Sequence, residues 1–274
     1  MKNNKYVVYI YNVFNVLMHE KMKPFILLLT LACIVSCGSN RRANAFLSHI
    51  DTLYQQNPAE AIIAIDSFMS CHNDMSQHNR MLLTLYRLRA QNSVGEPFAS
   101  DSLARKVVEY FDDNGSVEEQ MSAYYVLGSV YRDLDNYPEA LADYQKAVAL
   151  ADTTDGNKNN AFLNRVYGQM GDVLLSQLAF NEAGVAYSLA VRFACKDKDT
   201  LGVLLSKEQI ANVLYLQNRR DEACKLREWL HDEYLKNGFV REASKVLVPN
   251  VSTLLGRGKV EEVGRILRSY EEHS

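Results

Sequence analysis

The sequence predicts an all-α chain, built as an α-solenoid of antiparallel helix hairpins. Three observations predict it. In residues 121–151 (MSAYYVLGSVYRDLDNYPEALADYQKAVALA), Tyr124, Leu127, Gly128 and Tyr131 fall at i, i+3, i+4 and i+7, the stripe of an amphipathic helix. After a break at Asp135 and Asn136, Tyr137, Ala140, Tyr144, Ala147 and Val148 form a second stripe. A residue early in each second helix also recurs, at Ala61, Leu103, Ala140, Ala183, Ala223 and Val263, with spacings of 42, 37, 43, 40 and 40 residues. A period in this range lets each hairpin bury the apolar face of its neighbour. Finally, no stretch shows the alternation of a half-buried strand, and there is no low-complexity tract.

In chain order, residues 1–36 read as an N-terminal extension and a secretory signal. Lys21 and Lys23 precede the apolar run Phe25–Val35, which is too short for the ~20 residues of a membrane span and suits the hydrophobic region of a signal peptide. Tyr6 to Met18 form another apolar run, broken by Asn12 and Asn15, so Met22 is expected to be the initiator. The run ends in Ile34-Val35-Ser36-Cys37, which resembles the bacterial lipoprotein box. The resemblance implies cleavage before Cys37 and acylation of that cysteine, with each buried CH2 of the acyl chains contributing ~0.8 kcal/mol to anchoring. An uncleaved signal anchor is the competing reading. Gly38-Ser39-Asn40-Arg41-Arg42 lacks an aspartate at 38 and an acidic cluster, and by its similarity to known sorting patterns implies an outer-membrane lipoprotein facing the periplasm.

Residues 37–45 are the tether, and residues 46–274 the solenoid. Asn57-Pro58 introduces the helix of Ala61, Ile65 and Phe68, with proline in the first turn, where its missing N–H costs nothing. Met81–Asn92 and Leu103–Phe111 make the next pair, separated by a loop with Gly95, Pro97 and Ser100. In the central hairpin Gly128 and Ala140 are small because helices joined by so short a turn approach closely. Residues 161–194 repeat the pattern with Tyr167, Met170, Gly171, Leu174, Phe180, Ala183, Tyr187 and Ala190. Residues 204–234 keep Ile210, Ala211, Leu214 and Ala223 but put Arg220 and Arg227 at the aromatic positions. Pro249 falls inside a first helix and is expected to kink or shorten it. Gly256 and Gly258 then make the last turn, and Val263, Leu267 and Tyr270 the last stripe. The stretches Asp112–Gly115 and Asp152–Asn160 read as polar loops.

Tyr-x2-Leu-Gly-x2-Tyr followed by Tyr-x2-Ala-x3-Tyr-x2-Ala resembles the tetratricopeptide repeat, departing from it at Asp152 where proline is usual. The best matches are 121–154 and 161–194. The resemblance implies a right-handed superhelix that binds protein or extended peptide. Ile50-Asp51-Thr52-Leu53, Asn57-Pro58 with Ala61, Asp101-Ser102-Leu103 and the run 124–134 are similar to a group of Bacteroidetes tetratricopeptide lipoproteins. Members often continue into a transmembrane helix and a signalling or helix-turn-helix domain. Here the sequence ends at Glu271-Glu272-His273-Ser274. An alternative expectation is therefore the sensory half of an envelope signalling or transcription-regulating protein, its transducing half lost or encoded separately.

Composition is that of a folded protein, 47% hydrophobic and 23% charged over 274 residues. The formal charge is −3, and residues 1–36 hold four Lys against one Glu, leaving −6 for the rest. An acidic body with interspersed signs lacks the basic face that nucleic acid requires. Cys71, Cys195 and Cys224 have no paired spacing and are expected to be small buried residues, a disulfide remaining the alternative in an oxidising compartment. Cys71-His72 with His78 matches no zinc spacing, so no metal or cofactor is expected. Glu118-Glu119 and Glu261-Glu262 stand at helix starts as capping charges. No nucleophile, base and orienter can be assembled, so no catalytic residue is predicted.

In tetratricopeptide arrays the first helices line the groove. That frame brings Tyr125, Ser129, Arg132 and Asp133 inward from one repeat, Arg165, Gln169, Asp172 and Ser176 from the next, and Glu208, Gln209, Asn212 and Tyr215 from the third. Arg132 or Arg165 offers a fork to a carboxylate and Tyr125 a stacking face for an extended peptide. The competing reading of each is a solvated helix face. The Lys and Asn arrangement of the chaperone-type carboxylate clamp is absent. With no polar helix after it, the last hairpin is expected to self-associate or to take a partner through Leu267 and Tyr270.

Overall fold

The protein is described by a computed structural model covering residues 41–151 and 158–273. Cys37, the signal segment and the start of the tether lie outside the described residues. Among those residues the only regular structure is helix. Packing divides the chain into two units, the first ending at Glu96 and the second beginning at Pro97.

The first unit holds α1 (residues 41–56), α2 (Pro58–Cys71) and α3 (Gln77–Val94). Asn57 caps α2 by accepting from the Glu60 N–H at 3.2 Å, and Pro58 fills the first position. Ser76 caps α3, and Gly95 ends it in the left-handed region. Ile50, Ile65 and Leu83 form the buried centre, with Phe46 stacked on Phe68 at 4.0 Å and Phe68 on His72 at 4.1 Å. His72 also bonds the Phe68 carbonyl through Nδ1 at 3.0 Å.

The second unit holds α4 (Ser102–Asn114), α5 (Val117–Asp133), α6 (Tyr137–Leu150), α7 (Asn160–Ser176), α8 (Phe180–Asp197), α9 (Thr200–Leu216), α10 (Arg220–Lys236), α11 (Val240–Val246), α12 (Val251–Gly256) and α13 (Val260–His273). Helices α5/α6, α7/α8 and α9/α10 are hairpins, and each next hairpin packs on the last through α6–α7, α8–α9 and α10–α11. Helix α5 opens with a capping box in which Ser116 and Glu119 exchange hydrogen bonds, so Glu119 caps as expected. The turns within successive hairpins all use a left-handed residue: Asp135, Leu178, Asn218 and Gly258, at φ of 57°, 59°, 62° and 73°.

Close approach explains Gly128 and Gly171 of the first helices. A Cβ on Gly128 would lie 2.7 Å from Tyr144 Cδ1 and 3.1 Å from the Ala140 carbonyl oxygen, and one on Gly171 would lie 2.5 Å from Tyr187 Cε1. At the third hairpin Ala211 stands in the glycine position, and the residue opposite is Arg227, whose stem is thinner than a tyrosine ring.

Pro249 acts as expected. Helix α11, a 3-10 turn at Val248–Asn250 and α12 together replace one first helix, because proline supplies no N–H for a continuous ladder. Other expectations need correction. Leu103 does not take the small-residue position: it is 42% exposed, and Ala104 at 2% is the buried residue. Asp112, Asp113 and Asn114 form the last turn of α4 and not a loop. Among the described residues Cys71 and Cys195 are exposed, and Cys224 is buried. The last stripe is Val263 and Ile266, which face the core, whereas Leu267 and Tyr270 are 41% and 37% exposed.

Candidate functional site

The site expected from sequence is the first-helix face of the second unit. Helix α7 packs between α5 and α9. On α7, Arg165, Gln169, Asp172 and Ser176 follow one stripe at i, i+4, i+7 and i+11, and on α9 the stripe runs through Leu205, Glu208, Gln209, Asn212 and Leu216.

The structure divides the expected residues between the interior and the surface. Tyr125 is buried, its ring 5.9 Å from Tyr144 and 5.8 Å from Phe162, so it offers no free stacking face. Ser129 has 0% exposure, and its hydroxyl bonds the Tyr125 carbonyl at 3.0 Å and the Tyr144 hydroxyl at 3.1 Å. Arg132 donates from Nε and Nη2 to Asp133 Oδ1 at 2.9 and 2.7 Å and from Nη1 to Gln169 Oε1. The fork expected to hold a ligand carboxylate is therefore occupied by its own neighbour. The other oxygen of Asp133 accepts the Phe98 N–H at 3.2 Å.

Gln169 continues this chain by donating to Asp172 at 3.4 Å, and Asp172 Oδ1 accepts the Tyr187 hydroxyl at 2.6 Å. Burial pushes the Asp172 carboxyl above the ordinary aspartate range, and the Tyr187 bond and the Arg132 charge pull it back in part. Tyr187 is raised in turn by its burial and by Asp172. Ser176 is exposed and donates to the Asp172 carbonyl at 3.1 Å.

On α9, Glu208 accepts the Tyr234 hydroxyl at 3.0 Å and is likewise raised by burial. Asn212 donates to Gln209 at 3.0 Å and accepts from Arg227 Nη2 at 2.8 Å. The Tyr215 hydroxyl is 3.2 Å from the Ser252 hydroxyl, and its ring lies under the Arg220 and Arg227 guanidinium groups, each at 5.5 Å. Arg165 is exposed, with no hydrogen bond or ion pair among the described residues.

One regularity orders these contacts. The residue after each small first-helix position bonds the residue fifteen further on: Ser129 with Tyr144, Asp172 with Tyr187, Asn212 with Arg227. Three residues expected to meet ligand are thus internal ties that lock each hairpin. Sequence reasoning missed the second-helix partners. Arg227 is the most telling of them, 1% exposed, bonded to Asn212 and to Asn250 at 3.1 Å, with no partner for Nε. The signal for it was a charged residue at an aromatic position, opposite alanine where the other hairpins have glycine.

The stripe thus has two polar clusters, Asp133–Arg132–Gln169–Asp172–Tyr187 and Gln209–Asn212–Arg227–Asn250, flanked by exposed Arg165, Ser176, Leu205 and Leu216. Its polar groups are held by one another, which suits a rigid recognition surface.

These features define a helical-repeat protein whose α5/α6 and α7/α8 hairpins are closed by glycine–tyrosine contacts. Residues 122–153 match the tetratricopeptide repeat family. The fold of the chain resembles that of aspartyl phosphate phosphatase F from Bacillus subtilis (TM-score 0.61, 14% identity, 99% of this chain and 80% of that one). It also resembles BtubC from P. vanneervenii (TM-score 0.56, 11% identity, 85% and 89%) and the apo form of the quorum sensor NprR from B. thuringiensis (TM-score 0.53, 14% identity, 98% and 94%). At these identities the likeness is one of fold. A search of curated proteins found no matching sequence.

Proposed function

We propose that the protein is a non-enzymatic scaffold that binds a protein or extended peptide on the first-helix face of α5, α7 and α9, tethered to the cell envelope by acyl chains on Cys37. The observation that carries the binding reading is the division on that face. Its buried polar groups are committed to hairpin ties, while Arg165, Leu205 and Leu216 stand exposed beside them. Exposed apolar residues next to a free guanidinium, on a floor of fixed polar side chains, suit a partner segment carrying a carboxylate and aliphatic side chains. Tethering is supported by the lipoprotein-box residues Ile34-Val35-Ser36-Cys37, and the periplasmic outer-membrane location by the uncharged Gly38-Ser39-Asn40 after them. Exposed Leu267 and Tyr270 on α13 add a second contact surface for a partner or another copy.

The test compares wild type with Arg165→Glu/Leu216→Glu, both isolated from native envelopes under mild cross-linking. The proposal expects a partner with wild type that is lost from the variant at unchanged thermal stability, because both side chains are exposed. Equal recovery refutes this face. In parallel, metabolic labelling with palmitate is expected to mark wild type and not Cys37→Ser. Labelling of both removes the tether.

A further inference from the structure

A cavity of about 240 Å³ lies beside the Pro249 break, among α10, α11 and α13. That is below the roughly 300–1,000 Å³ of sites for drug-sized ligands, so the occupant it suits has the size of a single amino acid.

Its wall on α10 presents Glu228 and His231, one turn apart. Glu228 has no hydrogen bond or ion pair among the described residues. His231 Nδ1 donates to the Ala243 carbonyl at 2.9 Å, so the neutral ring keeps Nε2 as an acceptor. The wall on α13 presents Arg265, also without a partner among the described residues. Glu262 lies on the same helix but is already paired with Lys259 at 3.1 Å. Asn250, 2% exposed, also lines the cavity. Its carboxamide oxygen accepts from Arg227, and its nitrogen has no acceptor among the described residues. Leu247, Leu254 and Ile266 supply apolar surface.

The lining thus holds hydrogen-bond acceptors on α10, a guanidinium on α13 unpaired among the described residues, a buried amide donor at Asn250 and aliphatic surface, with Ser244, Ser269 and Glu262 beside them. A divalent cation would meet Arg265 as a like charge, and an anion alone would meet Glu228. A molecule with an ammonium and a carboxylate on one carbon and an aliphatic side chain satisfies the acceptors, the donors and the aliphatic surface.

We propose that this cavity binds a free aliphatic amino acid as its zwitterion, with the ammonium on Glu228 and His231 Nε2, the carboxylate on Arg265 and the Asn250 amide, and the side chain against Leu247, Leu254 and Ile266. The site shares Asn250 with the polar cluster of the first-helix face, but its other lining residues lie outside that cluster, and it stands whether or not that face binds a protein.

Isothermal titration of the full chain in detergent micelles with L-leucine, L-leucine amide and N-acetyl-L-leucine tests it. Leucine is expected to bind, and each capped form, lacking one charge-assisted contact, to bind roughly tenfold or more weakly. Arg265→Gln is expected to remove the preference for leucine over its amide, and Glu228→Gln the preference over the acetylated form. Both side chains are exposed at the rim, so the variants should melt with wild type. No saturable binding of leucine at millimolar concentration overturns the proposal. So does either capped form binding as tightly as leucine, or either variant keeping the wild-type preferences.

Discussion

Two glycines three residues apart on α7 should respond in opposite senses to the same added methyl group. At Gly171 a Cβ would sit 2.5 Å from Tyr187 Cε1 and 2.7 Å from Cδ1 and Cζ. The ring has little room to retreat, since Tyr187 is buried and its hydroxyl is bound to Asp172 at 2.6 Å. Overpacking of this kind costs about 1–3 kcal/mol, and the better helix propensity of alanine offsets roughly 0.5–1 kcal/mol of it. Gly171→Ala should therefore lose about 1–2 kcal/mol. At Gly168 nothing lies within 4 Å, so Gly168→Ala keeps only the propensity gain of about 0.5–1 kcal/mol. Urea unfolding followed by circular dichroism measures both. In a Tyr187→Met background, where a flexible side chain replaces the ring, the cost at 171 should vanish, giving a coupling of about 1 kcal/mol or more. The reasoning is refuted if Gly171→Ala stabilises as Gly168→Ala does, or if the ring does not matter.

Further outcomes follow from the same contacts. Leu178 holds a left-handed turn with its side chain 71% exposed, so Leu178→Gly should gain about 0.5–1 kcal/mol in a thermal melt. Arg227→Met should lose about 2 kcal/mol, because the buried Asn250 oxygen and the half-buried Asn212 oxygen lose their donor; Arg227→Lys should not recover it, since one ammonium replaces a planar fork. Burial raises the Asp172 carboxyl, so the folded chain holds that proton more tightly than the unfolded one, and the stability this gives is present at low pH and lost as pH rises through the raised value. Asp172→Asn keeps an acceptor for Tyr187, and should be more stable than wild type at neutral pH, with a shallower decline between the ordinary aspartate range and neutrality in pH-dependent urea melts.

The hairpins were legible where two constraints coincide. In 121–151 and 161–194 the helical stripe and the Gly–Tyr pairing demand the same register, and Pro249 announces its break by its missing N–H. At α4 no glycine or opposed ring fixes the register, so adjacent Leu103 and Ala104 were interchangeable by pattern, and only packing shows that alanine is inside. The candidate face was legible as a direction, since spacing tells which residues share a stripe. It was not legible as a surface, because Ser129, Asp172 and Asn212 are taken up by side chains fifteen residues away on the partner helix. Arg227 stood out as a charge at an aromatic position, yet its tie to Asn250 lies in the 3-10 turn at Pro249, which spacing does not reveal.

The most direct test of the binding face is a photo-cross-linking scan in the native envelope, with a photoreactive residue placed in turn at 165, 169 and 176 on α7 and at 185, 188 and 192 on α8. The second helix is the proper control, because a cleft of about 550 Å³ opens along α8 beside Val185 and Ser188. Cross-links to a partner at 165 and 176, with none from α8, are the predicted result. Cross-links concentrated at 185 and 188 would place the partner on the other side of the hairpin and contradict the account.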